Sequence, residues 1–281
     1  MKRRWFLAGM VVPVGVASCR AIENQNAADG NADGLENAEG KAVRVARNNK
    51  TLVMATAANY PPYQQVLEAD SAINASTRST DSEPEIIGFD IDLAQMIADR
   101  LERKLTIVDL EFGALIPALV NDEVDIVMAA LNPSRSRKQR VDFSDIYYRS
   151  RHALVSLEGY LRPRDLNYQT IGVQAGSVQA RYVDTTDGLF NLDIVPYETL
   201  EEMFEALDIG AISGAFLEAN VAQQYVRRYP EFEAQLMPTD GPTGSAIALS
   251  KGSSLRRDIN RALADIKSSG EMDRLIIQWF S

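Results

Sequence analysis

The sequence predicts an α/β protein with two sheet-containing lobes. From Thr51 onward, short runs of β-branched and aliphatic residues alternate with stretches in which apolar residues recur at helical spacing. Such alternation is typical of parallel sheets covered by helices on both faces. The pattern occurs twice, over stretches of about a hundred residues, which is the size of a small domain. The part of the chain after position 50 is therefore long enough for two lobes.

The first stretch contains three predicted strands and two predicted helices. The strands are short runs of the residue types favoured in sheets, and the helices carry apolar residues three and four positions apart. The strands are expected at Leu52–Ala55, Leu105–Leu110 and Val124–Met128, and the helices at Asp92–Leu101 and Ala114–Val120.

The second stretch repeats this pattern and ends in two further helices. The strands are expected at Thr170–Val173, Ile194–Pro196 and Gly214–Leu217. The helices are expected at Val178–Tyr182, Leu200–Leu207, Asn220–Arg228, Leu255–Ile266 and Met272–Phe280. Strands and helices thus alternate through both stretches.

The first eighteen residues have the pattern of an export signal. The basic Lys2–Arg4 is followed by the apolar run Trp5–Val16 and then by small residues ahead of Cys19. This order is typical of a removable signal peptide, and the apolar run is shorter than the about 20 residues that span a bilayer. We therefore predict a signal peptide at 1–18. The paired arginines leave both the general and the twin-arginine export route open.

The segment Val16–Cys19 resembles the lipobox of bacterial lipoproteins, in which the cysteine receives lipid. The resemblance implies that Cys19 becomes the first mature residue and anchors the chain to a membrane outside the cytoplasm. Each buried acyl methylene contributes about 0.8 kcal/mol, so two or more chains hold a protein firmly. The alternative is an ordinary signal peptide with a cysteine at this place by chance.

Composition separates folded from linking segments and excludes some functions. Residues 19–50 are rich in Asn, Ala, Asp, Gly and Glu, which predicts a flexible tether. Residues 67–84 are polar and predict a long surface loop of unknown role. The formal charge of −10, without basic stripes, argues against a nucleic-acid partner. A single histidine and a single cysteine make a metal site improbable, and no cofactor is expected.

Several segments together resemble the bacterial extracellular solute-binding proteins of the polar amino acid type, family 3, which serve ABC transporters. They occur in the family's order and cover about 51–281. They are Ala55–Tyr63, Gly88–Ala94, Phe112–Leu119, Asp125–Asp145, Ile171–Ser177 and Gln278–Phe280.

This resemblance implies the two-lobed periplasmic-binding-protein fold of type II, with each lobe a sheet flanked by helices. Two hinge strands join the lobes, and the ligand binds between them. We expect the chain to cross near Ala153–Val155 and Ala246–Ala248. Lobe one would then comprise 51–153 and the returning segment 246–281, and lobe two would comprise 154–245. The protein is expected to be a monomer.

Arg137 is the strongest candidate for a ligand contact. Asn132 and Pro133 are favoured at a helix cap and at the first helical position, so we expect a helix to begin there. Arg137 would lie one turn inside and could form two parallel hydrogen bonds to an anion. The resemblance assigns Arg137, Asn132, Ala130 and Ser177 to the ligand α-carboxylate. From residues alone, Arg137 could be solvated and Ser177 an ordinary helix cap.

The resemblance assigns the other end of the ligand to Glu218 and to apolar residues. Glu218 would bind the α-ammonium, although a lone glutamate is more often a charge at a helix start. Tyr60, Phe112 and Ala57 would contact the ligand side chain, although aromatic residues beside proline are often core. Because Ala57 and Ala130 replace polar residues common in relatives, we expect a less polar or smaller ligand.

The functional prediction is a membrane-tethered receptor that captures a small amino acid and delivers it to an ABC-type permease. Two alternatives stay open. One is a prephenate or arogenate dehydratase on the same fold, with Glu218 as general acid. The other is a sensor subunit of a signalling system. The sequence does not predict which amino acid is bound.

Overall fold

The computed structural model describes residues 50–67, 85–157, 168–180, 192–237 and 243–281, together with two short paired strands, Leu35–Glu36 and Ala42–Val43. The predicted signal peptide, Cys19, nearly all of the predicted tether and most of the 67–84 loop lie outside the described residues. Within these ranges, no helix is long and apolar enough to cross a membrane.

Strands and helices alternate along the described chain. In chain order the strands are β1 (Leu35–Glu36), β2 (Ala42–Val43), β3 (Thr51–Thr56), β4 (Asn59–Tyr60), β5 (Gln64–Val66), β6 (Ile86–Ile87), β7 (Lys104–Asp109), β8 (Ile126–Val127), β9 (Asp142–Phe143), β10 (Tyr148–Ser150), β11 (His152–Leu157), β12 (Thr170–Gln174), β13 (Asp193–Tyr197), β14 (Gly214–Glu218), β15 (Phe232–Leu236), β16 (Thr243–Ser245) and β17 (Ala248–Leu249). The helices are α1 (Phe89–Arg100), α2 (Leu115–Val120), α3 (Arg135–Arg140), α4 (described over 178–180), α5 (Leu200–Asp208), α6 (Ala219–Arg228), α7 (Leu255–Ser268) and α8 (Glu271–Phe280).

Each lobe contains one five-stranded mixed sheet. In lobe one the strand order is β7-β3-β8-β17-β9, with β3 parallel to β7 and β8 and with β17 antiparallel to its neighbours. In lobe two the order is β13-β12-β14-β11-β15, with β12 parallel to β13 and β14. Helices α1 and α2 pack on the first sheet, and α5 and α6 pack on the second. The predicted two-lobed α/β fold is confirmed.

The two sheets are joined by an antiparallel pair of short strands, β10 and β16, in which Tyr148 lies opposite Ser245. The crossings expected near Ala153–Val155 and Ala246–Ala248 are displaced by a few residues. Ala153–Val155 lies inside β11 of the second sheet, and Ala248 lies inside β17 of the first. Both runs are buried. Their apolar content therefore indicates buried segments next to the connecting strands and not the connecting strands themselves.

The C-terminal helices return to lobe one. The Trp279 Nε1–H and the Gln278 side-chain amide donate hydrogen bonds to Asp92 Oδ2 of α1, at 2.8 and 3.1 Å. The Phe280 ring stacks on Tyr148 of β10, with 4.6 Å between ring centroids. Helix α8 is therefore packed against the first residue of β10, one of the two connecting strands.

The boundaries of several elements differ from the sequence-based expectation. Helix α1 begins at Phe89, three residues before the predicted Asp92, because the turn at Gly88 with φ of 144° places the chain in helical geometry directly after it. A Cβ at Gly88 would overlap the Tyr63 carbonyl, so the close approach also requires glycine. The strand expected at Val124–Met128 has only Ile126–Val127 in the ladder.

Candidate functional site

A small cavity lies between the lobes, beside the connecting strands. Both lobes and both connecting strands contribute to its wall. Its lining residues are Tyr60, Phe112, Ala129, Ala130, Asn132, Arg137, Ser150, His152, Gln174, Ser177, Val178, Gln179, Glu218 and Ser245. The cavity itself has a volume of about 20 Å³. A groove of about 270 Å³ shares Phe112, Arg137, Ser177 and Val178 with it, and the groove's volume is near the lower end of the range for small-molecule sites. The space between the lobes is therefore the candidate binding site.

Arg137 lies in α3, but the helix begins later than predicted. Its N-cap is Ser134, whose Oγ accepts the Arg137 N–H at 3.3 Å. The Asn132 side-chain amide instead donates to the Gly244 carbonyl at 2.9 Å. The predicted cap at Asn132, with Pro133 as first helical residue, is therefore wrong. The long-range bond to the second connecting strand holds the Asn132 amide away from the helix.

The Arg137 guanidinium bridges the two lobes. One Nη donates to the Asn132 carbonyl at 3.0 Å and the other donates to the Gly176 carbonyl of lobe two at 3.2 Å. Its Cζ lies 5.4 Å from the centroid of the Phe112 ring, within the range of a cation–π contact. A positive charge is thus fixed in the wall of the cavity by groups from both lobes.

Ala130 is held in an unusual backbone conformation by Asp90. Its φ is 48°, which is costly for a residue with a Cβ. The Ala130 N–H donates to Asp90 Oδ2 and the Tyr147 hydroxyl donates to Asp90 Oδ1, both at 2.8 Å. Burial raises the pKa of Asp90 to about 7, against the opposing effect of these hydrogen bonds. Asp90 is therefore a positioning residue that the sequence reasoning missed.

Ser177 is buried at the start of α4, where its Oγ accepts the Ala180 N–H at 3.4 Å. The preceding Gly176 has φ of 70°, a left-handed conformation that glycine adopts without strain. Ser177 therefore occupies an N-cap position and also lines the cavity.

Glu218 lies at the end of β14 and caps helix α6. Its Oε2 accepts the N–H groups of Asn220 and Val221 at 3.0 and 3.2 Å. Burial raises the pKa of Glu218 to about 7, although the Ser150 hydroxyl and the two backbone N–H groups act in the opposite direction. The same carboxyl group is therefore a helix cap and a part of the cavity wall.

The residues predicted at the ligand side chain do not share one environment. Tyr60 is nearly buried and lines the cavity, and Phe112 lines it beside Arg137. Ala57 is 2% exposed and belongs to the apolar core of lobe one, with Val53 and Leu115. Tyr60 and Phe112 are thus brought to the cavity, and Ala57 lies behind its wall.

The cavity contains polar residues that sequence reasoning missed. They come from lobe two and the connecting strands: Ser150, His152, Gln174, Gln179 and Ser245. The expectation of a less polar or smaller ligand rested on lobe-one positions alone, and these residues add polar groups to the wall. One signal was present in the sequence, since His152 is the single histidine and lies in an apolar run. Burial lowers its pKa to about 4, so the ring is neutral at neutral pH.

Within the described part of the chain, no group of three or more His, Cys, Asp or Glu side chains is placed to hold a metal ion.

Comparison with known proteins identifies the family. The model of the bacterial extracellular solute-binding proteins, family 3, matches residues 52–281. The chain belongs to this family. The solute-binding protein is 30% identical to the arginine-binding extracellular protein ArtP of Bacillus subtilis, over 83% of this chain and 87% of the relative. It is 26% identical to the histidine-binding periplasmic protein of Escherichia coli, over 73% of this chain and 84% of the relative.

Solved structures agree with this assignment. The solute-binding protein superposes on the substrate-binding protein of an amino acid ABC transporter with a TM-score of 0.72 and 33% sequence identity. The similarity covers 82% of this chain and 99% of the other. The resemblance found in the sequence is thereby confirmed.

Proposed function

We propose that this solute-binding protein captures a small amino acid between its lobes and delivers it to an ABC-type permease. One observation carries the proposal. Arg137 from lobe one and Glu218 from lobe two line the same cavity with opposite charges. A zwitterionic amino acid carries a carboxylate and an ammonium separated by one carbon atom, so each of its charged groups can face an opposite charge. The relatives named above bind amino acids, which favours this function over a dehydratase. The similarity to the substrate-binding protein of an ABC transporter favours it over a sensor.

In this proposal the α-carboxylate binds Arg137 through charge-assisted hydrogen bonds, with Ser177 as a further donor. The carbonyls of Asn132 and Gly176 orient the guanidinium. Asn132 and Ala130 form the floor of the site, and Asp90 fixes the position of Ala130. The α-ammonium binds Glu218, while Tyr60 and Phe112 flank the side chain. Ala57 supports Phe112 from the core of lobe one. Each end of the ligand thus depends on a different lobe.

Replacing Arg137 tests the proposal directly. Arg137→Leu should weaken amino acid binding about 10- to 150-fold, because a charge-assisted hydrogen bond is worth about 1.5–3 kcal/mol. Isothermal titration calorimetry measures this change. Arg135→Leu is the matched control, since Arg135 is exposed on the same helix and does not line the cavity. Equal affinity in the wild type and in Arg137→Leu would contradict the proposal.

The second part of the proposal is a lipid anchor on Cys19. It is supported by the signal pattern at 1–18 and by the lipobox resemblance. The chain would act as a monomer outside the cytoplasm, attached to the membrane through residues 19–50.

A labelling experiment tests the anchor. Cells that express the full chain should incorporate labelled fatty acid into it, and the protein should fractionate with membranes. Cys19→Ser should lose both the label and the membrane association, because the acyl chains supply the attachment. An unlabelled wild-type chain would show that the signal is of the ordinary secretory kind.

A further inference from the structure

We propose that the cavity selects an amino acid with a carboxamide side chain, with the Gln174 amide as a hydrogen-bond donor to it. This inference rests on the proposed function, since it names the ligand class for the same cavity. It depends on two observations. The cavity wall presents the side-chain amides of Gln174 and Gln179, and its formally charged residues are Arg137 and Glu218.

Gln174 is a buried side chain with an unused donor. It ends strand β12, opposite Tyr197 of β13, and it is only 6% exposed. Its Nε2 is buried and, among the described residues, has no hydrogen-bond acceptor. A buried donor without an acceptor is unfavourable. Because this side chain lines the cavity, a ligand that supplies an oxygen there gains a hydrogen bond and removes the penalty.

A second amide lies in the same wall. Gln179, in the first turn of α4, is also 6% exposed and lines the cavity. A primary amide both donates and accepts hydrogen bonds, so two such groups can pair with the carbonyl and the NH₂ of a carboxamide. The neutral His152 lies in the same wall, and its Cα is paired in register with that of Glu218. The polar groups that lobe two contributes to this wall are therefore uncharged apart from Glu218.

The charges in the cavity argue against a charged side chain. Among the lining residues, Arg137 and Glu218 carry the formal charges, and the proposed function assigns both to the α-groups of the ligand. A guanidinium or carboxylate side chain would enter the wall without a counter-charge. Burying an unpaired charge is far more unfavourable than burying a hydrogen-bonded amide. Basic and acidic amino acids should therefore bind more weakly than glutamine or asparagine.

Calorimetry with five ligands tests the inference. The purified protein is titrated with L-glutamine, L-asparagine, L-methionine, L-arginine and L-glutamate. We expect glutamine or asparagine to bind most tightly. Methionine resembles glutamine in size but has no amide, and it should bind at least about tenfold more weakly, the factor that one lost hydrogen bond in a buried site produces.

Variants of Gln174 assign the preference to this residue. Gln174→Leu should remove the preference for glutamine over methionine, and Gln174→Glu should shift the preference towards arginine, because it adds a carboxylate to the wall. Gln235→Leu is the matched control, since Gln235 lies on β15 of the same sheet and is not a cavity residue. It should leave the ranking unchanged.

The outcomes separate this inference from the proposed function. If the wild type binds arginine, glutamate or methionine more tightly than both amides, the inference is overturned while amino acid capture stands. Retention of the amide preference in a folded Gln174→Leu variant would also overturn it. If none of the five ligands binds, the inference is overturned, and titration with the remaining common amino acids decides the proposed function. The wild-type ranking alone gives a decision even if a variant does not fold.

Discussion

Glu218 shows how one side chain can serve both the fold and the site. One carboxylate oxygen caps α6 and the group lines the cavity between the lobes. Because burial raises its pKa to about 7, ionised Glu218 makes the folded state less stable as pH rises from its ordinary pKa towards 7. An ammonium placed beside it would stabilise the ionised form and lower this pKa. The proposed ligand and the proton therefore compete for this group.

Amino acid binding should accordingly release a proton at pH values around and below 7, and affinity should increase as pH rises from 6 to 8. Titration calorimetry in buffers of different ionisation enthalpy measures the released proton. Glu218→Gln should abolish both effects, because its amide cannot ionise. His152 cannot supply the same signal, since its pKa of about 4 lies outside this range. Proton release that persists in Glu218→Gln would exclude Glu218 as its source.

The site residues that sequence could find are those with a strong local signature. Arg137 and Ser177 stand out in the chain, and the structure brings both to the cavity. Asn132 was misjudged as a helix cap because Ser134, two positions later, is an equally good candidate, and the Asn132–Gly244 bond decides between them. Gln174 carries no local signal of a site, and His152 is distinguished only as the single histidine. The pairing of β11 with β14 places His152 opposite Glu218, and the fold of lobe two brings Gln174 to the same cavity.

At the scale of elements, Asp92 connects the first helix to the last. It accepts hydrogen bonds from Gln278 and Trp279 of α8. Asp92→Ala should lower the free energy of unfolding by about 1–2 kcal/mol, because two charge-assisted bonds are lost at a partly exposed site. Denaturant unfolding measures this change. Asp99→Ala is the control, because it removes an exposed hydrogen bond to Gln95 within α1. It should change the free energy of unfolding by less than about 0.5 kcal/mol. A comparable loss in both variants would contradict this role of Asp92.

Helices were predicted well where the apolar residues recur at helical spacing over a long stretch. The start of α7 at Leu255 agrees with the prediction, and α5 ends within one residue of it. The positions of the crossings were less predictable, because β10 and β16 have only three residues each. Such short strands contain too few residues to show a period. Their pairing follows from the packing of the lobes on either side.

For the whole molecule, the order of motifs along the chain predicted the two-lobed fold and the family, and both are confirmed. The central claim is that Arg137 and Glu218, which belong to different lobes, hold one ligand together. Interactions that form fully only when the lobes are together favour the closed arrangement. Ligand binding should therefore reduce the dimensions of the protein.

Small-angle X-ray scattering tests this claim most directly. The radius of gyration of the wild type should decrease when a saturating amino acid is added, with binding established separately by calorimetry. Arg137→Leu should show no decrease at the same ligand concentration. An unchanged radius of gyration in the wild type with the ligand demonstrably bound would contradict capture between the lobes.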